Sequence, residues 1–389
     1  MQKRVTQVLR LAACLLVVTS GCSESEDFSW PGNTADAVAN YSQIVEASYL
    51  DSLTTAQELN TALEALVMSP SEATLSDARN AWLQSREPYL QTEVYRFYDG
   101  PIDNPTDGPE GLLNAWPLDE QYIDYVDGMA DAGIINSTET IDAMTLEGLN
   151  EVGGEKNIAT GYHAIEFLLW GQDNSTTGAG SRPHTDYITG AGGTAANQDR
   201  RGLYLTTVGG LLIQHLGQVH GAWTAAGSYR AQFESDPQAA FEKILTGMIV
   251  LAGFETGGER LQAALDSGDQ EDEHSCFSDN THRDMIQDIQ GIANVWNGSY
   301  TRTDGSTLSG VGIKNVVGQV DTALMMRVDA KINEALTLAN ALQVPFDQEI
   351  APMSAGNARV AALVTSLLEL ETVLTDVFSA FGLTVTIPE

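Results

Sequence analysis

Apolar residues recur at three- and four-residue spacing along almost the whole chain, and strand-like alternation is nearly missing. The run "ADAVANYSQIVEASYLDSLTTAQELNTALEALV" shows the pattern with few breakers, and "SPSEATLSDARNAWLQSREPYLQTEVYRFY" repeats it after a pair of serine caps, with Pro88 as a local kink. Shorter helices are predicted around 119–130, 139–150 and 156–170, and long ones over 197–226, 236–265, 280–297, 316–343 and 352–379. Only "LTVTIP" at the end reads weakly as a strand. Helices with one apolar stripe bury it against other helices, so the expected fold class is all-α.

A polar, glycine-rich stretch, "GQDNSTTGAGSRPHTDYITGAGG", interrupts the periodicity from Gly171. A loop of that length is expected to close a site or join domains. At 389 residues the chain has room for about two domains. The expected division is an N-terminal helical bundle over 35–190 and a C-terminal bundle over 191–389. Each half has long helices flanking one loop-bounded segment, which hints at internal duplication.

The first residues read as a targeting segment. Lys3, Arg4 and Arg10 precede the apolar "LAACLLVV", which is too short to span a bilayer comfortably. "TSGC" then resembles a bacterial lipoprotein cleavage box, although Thr19 stands where leucine is usual. The expectation is a signal peptide over 1–21, lipidation of Cys22 and a polar tether over 22–34. Ser23, with no aspartate after it, points to the periplasmic face of the outer membrane. Loss of Cys14 and acylation of Cys22 leave Cys276 alone, so no intrachain disulfide is available. A net charge of −34 opposes binding to nucleic acid and attracts cations in general.

Three clusters carry chemistry. In "GYHAIEFLLWGQD", His163 and Glu166 lie three apart on one helix face, within an apolar run where a carboxylate is costly without a cation or donors. They read as metal ligands completed from other helices, or as a hydrogen-bonded core pair. In "AWLQSREPYLQTEVYRFYDGP", Arg86, Glu93 and Arg96 recur at helical spacing, with Glu93 as an inward ligand or a surface ion-pair partner. "NAWPLDEQYIDYV" follows, where Asp119 reads as a helix cap. In "GDQEDEHSCFSDNTHRDMIQD", His274, Cys276, Asp279, His282, Arg283 and Asp284 crowd into a short stretch and read as the lining of the same cleft or as a second metal site.

Several enzyme classes are excluded on spacing. There are no two histidines four apart around a glutamate, no paired Glu-x-x-His, no G-x-S-x-G elbow and no phosphate-cradling glycine fingerprint after a strand.

Taken together, Gly161, His163 and Glu166 in G-x-H-x-x-E order, with "WLQSREPYLQTEVYRFY", "NAWPLDE", "SRPHTDY" and "CFSDNTHRD", resemble the imelysin family over about residues 35–385. The resemblance implies two helical bundles with a site in the cleft between them. Members of that family were first described as metallopeptidases, and others are iron-regulated or belong to periplasmic iron uptake. It implies His163 and Glu166 as metal ligands, Glu93 and Asp119 as further ligands, and Arg86, Arg96, Asp279 and His282 as site-lining residues. Iron is the favoured metal, with zinc or manganese as alternatives. The expected function is a lipid-anchored, periplasm-facing metal-binding protein of iron uptake or handling, with iron-transport components as partners. A metallopeptidase and a non-catalytic surface-interaction protein are the alternatives.

Overall fold

The computed structural model describes residues 28–384. The expected signal peptide, Cys22 and the first part of the expected tether lie outside them, as does most of the weak strand expected at the end. Eight helices carry the architecture: α1 Thr34–Met68, α2 Glu72–Leu90, α3 Gly161–Trp170, α4 Gln198–Trp223, α5 Pro237–Val250, α6 Thr281–Asn297, α7 Thr322–Ala339 and α8 Gly356–Ala380. A two-stranded hairpin, Ser299–Thr301 with Thr307–Ser309, is the one sheet among the described residues. None of the described helices is long and apolar enough to cross a membrane.

Local chemistry sets the helix ends. Ser71 starts α2 by accepting from Thr74 N while the Thr74 hydroxyl accepts from Ser71 N, a reciprocal cap. Asp236 caps α5 ahead of Pro237, whose missing N–H costs nothing in the first turn. The long helix expected over 316–343 is two helices, Ile313–Val320 and α7. Asp321 divides them, because its carboxylate caps Leu324 N and its own backbone is extended.

Helix α1 packs along both α2 and α4, while α8 packs against α7 and the stretch that follows α5. The larger core runs from Ile44, Leu59 and Trp82 through Leu205 and Leu212 to Trp296 and Phe378. A smaller core gathers Leu261, Ile289, Phe346 and Leu363. Helices before and after residue 190 therefore share the larger core.

The stretch after α5, Leu251–Gln262, is a π-helix. Its wider turn stacks residues five apart, whereas in an α-helix they stand about 140° apart around the axis. Glu255 and Arg260 are five apart, and the guanidinium donates to Glu255 Oε1 at 2.9 Å.

Candidate metal centre

Helix α3 is buried at all ten positions. It starts at Gly161, with φ of +85°, and a Cβ there would lie 2.5 Å from the Leu113 carbonyl oxygen. Glycine is what lets the 110–117 segment lie against the start of α3. The Thr160 hydroxyl ties the same contact by donating to Leu112 O at 3.1 Å.

His163 and Glu166 do not face one point as two equal donors. His163 Nδ1 lies 2.8 Å from Glu166 Oε2, and the other carboxylate oxygen, Oε1, accepts from Ser278 N at 3.0 Å and Ser278 Oγ at 2.6 Å. Both Glu166 oxygens are spent on hydrogen bonds, while His163 Nε2 is buried without a partner. Burial raises the Glu166 carboxyl to about 8. Burial, and then the Arg86 charge, push His163 well below its ordinary value. Both shifts favour the uncharged forms, a neutral imidazole meeting a carboxyl group through Nδ1.

A second histidine repeats the arrangement. The His274 ring packs edge-on against His163 with centroids 4.9 Å apart, and His274 Nδ1 lies 2.7 Å from Asp284 Oδ2. Burial lowers its pKa also, helped by Arg260. Asp284 is itself held by the Ser275 hydroxyl at 2.5 Å and by Arg86 at 3.4 Å. Arg86 is fully buried, 5.1 Å over the Tyr162 ring, and donates to Asn114 Oδ1 at 2.5 Å.

Glu93 enters from the single turn Glu93–Tyr95 that follows α2. Its Oε2 accepts from Arg96 at 2.7 Å and Arg260 at 2.5 Å, and its Oε1 is buried without a partner. Burial alone would raise its pKa, but the two guanidinium groups hold it below the usual carboxylate range. A cleft of about 430 Å³ opens beside these groups, with Arg96, Glu110, Trp116, Glu255, Arg260 and His274 on its walls.

The sequence-predicted residues thus separate. His163, Glu166, Glu93, Arg86 and Arg96 gather at or beside the cleft, joined by His274. Asp119 is a helix cap instead, with Oδ1 accepting from Gln121 N at 3.0 Å. His282 is in the first turn of α6, half-buried, with Nδ1 unpartnered. Asp279 belongs to a different cluster. Among the described residues, the group of three donors whose ligand atoms all lie within 4.8 Å of one another is Asp173, Asp279 and Asp347. No three donors around His163 come that close.

Arg260, Glu255 and Ser278 were not legible as site residues. Arg260 and Glu255 belong to no motif, and the π turn is what directs them together. Ser278 falls inside a quoted motif but acts through its position, which a sequence does not reveal. "SRPHTDY" forms a clasp. Buried Arg182 donates to Asp124 at 2.8 Å and Asp186 at 3.2 Å, and Arg201 holds Asp124 with bonds of 2.6 and 2.9 Å.

Comparisons with known proteins identify the fold and the family. A solved structure of an iron-regulated protein A precursor from Parabacteroides distasonis superposes with a TM-score of 0.68 at 19% identity, over 91% of this chain and 97% of that one. The Iron-regulated protein A of Synechococcus elongatus is 24% identical over 330 residues, which are 83% of this chain and 82% of that protein. The family model for imelysin, peptidase M75, matches residues 45–374, so the chain belongs to the imelysin family.

Proposed function

We propose that this chain is a metal-binding protein of iron handling, held at the periplasmic face of the outer membrane by a lipid on Cys22. The observation that carries the reading is His163 Nε2, buried and unpartnered while Nδ1 is fixed by Glu166. Histidines that bind metals commonly present one nitrogen to the ion and give the other to a carboxylate. His274 with Asp284 has the same form. Glu93 Oε1 supplies an unpartnered oxygen nearby.

In this assignment His163, His274 and Glu93 are the donors, and Glu166 and Asp284 position the imidazoles. Glu166 is therefore read as a positioning group, and Asp119 as a cap. Two imidazoles and a carboxylate suit iron, manganese or zinc. The relative from Synechococcus elongatus bears an iron-regulated name, which supports iron as the cargo. Because the donors are not gathered as closely as the three aspartates, loading is expected to draw His274 and Glu93 towards His163.

Titration of a chain beginning after Cys22 with Fe²⁺, Fe³⁺, Mn²⁺ and Zn²⁺ tests this. One equivalent is expected to bind, with His163→Ala and His274→Ala each weakening binding by about 100-fold or more and Glu166→Gln by about 10-fold. Unchanged affinity in a folded His163→Ala chain would sink the assignment. A metallopeptidase is the second reading, favoured by the cleft beside His274. It requires chelator-sensitive cleavage of a peptide and a general base on bound water. Glu166 is poorly suited to that role, since both of its oxygens are engaged.

A further inference from the structure

Apart from the histidine centre, four carboxylates from three separate parts of the chain meet. Asp173 follows α3, Glu273 and Asp279 lie in the segment before α6, and Asp347 opens the short helix Asp347–Ile350. All four side chains are buried. We propose that Asp173, Glu273, Asp279 and Asp347 bind one calcium ion, which fixes the 268–280 segment that presents His274 and Ser278.

The close approach of the three aspartates would not by itself indicate a ligand. Glu273 adds the independent observation. It is fully buried, neither of its oxygens has a well-formed hydrogen-bond partner, and its carboxyl lies against that of Asp347 and near the Thr281 hydroxyl. Both oxygens of Asp347 are likewise unpartnered, as are Asp173 Oδ2 and Asp279 Oδ1. That makes six buried oxygens with no donor. Buried polar atoms are nearly always satisfied, and a set of this size needs a partner.

The chemistry of the set selects the partner. The charged neighbours acting on these four groups are other carboxylates, with no arginine or lysine among them. Burial and mutual repulsion raise Asp173 to about 6 and Asp279 to about 7, the direction expected of carboxylates crowded together out of water. All the donors are hard oxygens, with no imidazole or thiolate in the group. Calcium takes six to eight such oxygens and tolerates irregular geometry, whereas magnesium keeps several waters and demands an octahedron.

The site lies next to the candidate iron centre along the chain. Glu273 precedes His274, and Asp279 follows Ser278, whose amide and hydroxyl hold Glu166. The calcium site stands on its own geometry, while its effect on the histidines rests on the reading proposed above.

The test is calorimetric titration of the chelator-stripped mature chain with calcium, beside thermal melts. The wild type is expected to bind one equivalent and to gain about 5 °C or more in 1 mM calcium. Asp173→Asn with Asp347→Asn should lose both responses while melting, without calcium, no lower than the wild type, since the amides relieve repulsion at nearly unchanged volume. His163→Ala should bind calcium as the wild type does. Absence of calcium binding, a response kept in the double variant, or displacement by equimolar Mn²⁺ would each overturn the proposal. A wild type that takes calcium but no iron would support it and sink the iron reading alone.

Discussion

At the level of single residues, the H-x-x-E spacing placed His163 and Glu166 together correctly but left their division of labour open. Spacing shows that two side chains share a helix face. It does not show which oxygen meets which nitrogen, and here Ser278, more than a hundred positions away, decides that by occupying Glu166 Oε1. Asp124 illustrates the same limit. It reads as an unremarkable acid in "YIDYV", yet Arg182 and Arg201 converge on it in the core. Burial alone would raise its pKa, but the two guanidinium groups leave it below the ordinary value. A depressed carboxylate contributes stability that is complete above the unfolded value, near pH 4, and is lost as pH falls through the lower folded value. Asp124→Asn is expected to cost about 3–5 kcal/mol at neutral pH, because two buried cations lose the carboxylate they share. The variant should also show a shallower fall in melting temperature below pH 4. Denaturant melts across pH 3–7 check both, and an acid limb as steep as the wild type's would remove Asp124 from the account.

At the level of elements, periodicity located the long helices well, because burial of one stripe is a local property of sequence. It failed where a side chain competes with the backbone, as at Asp321, and where helix type changes, as over Leu251–Gln262. The start of α3 shows how an element is placed by a neighbour. Gly161→Ala would force a Cβ into the Leu113 carbonyl at a positive φ, so a loss of about 2 kcal/mol or more is expected. Weaker metal binding should accompany it, since His163 rides on the same turn. A variant as stable as the wild type would mean that the 110–117 segment can move aside.

For the whole molecule, the sequence revealed the helical class and the position of the glycine-rich loop, but not the shared core. Which helices pack together is set by contacts between distant segments, such as α1 with α4, and no local pattern encodes them. The net charge of −34 is a global quantity of another kind. Self-repulsion at that charge destabilises the compact state, and salt screens it. Raising sodium chloride from about 0.02 to 0.5 M should therefore raise the melting temperature by a few degrees. A melting temperature unmoved by salt would mean that the charges are already neutralised locally.

The π-helix makes chain length itself a functional variable in this protein. Glu255 and Arg260 meet because the backbone there is wound wider, with hydrogen bonds closing over five residues instead of four, and Arg260 then reaches Glu93 and Asp288. Deleting Gly258 would leave every charged group present and alter the composition by one glycine. It would also set Glu255 and Arg260 four apart and change the phase of everything downstream. Relatives that differ by one residue between α5 and α6 are thus expected to wire the cleft differently even where their motifs read the same. A frame of this kind is preserved by counting residues as much as by choosing them.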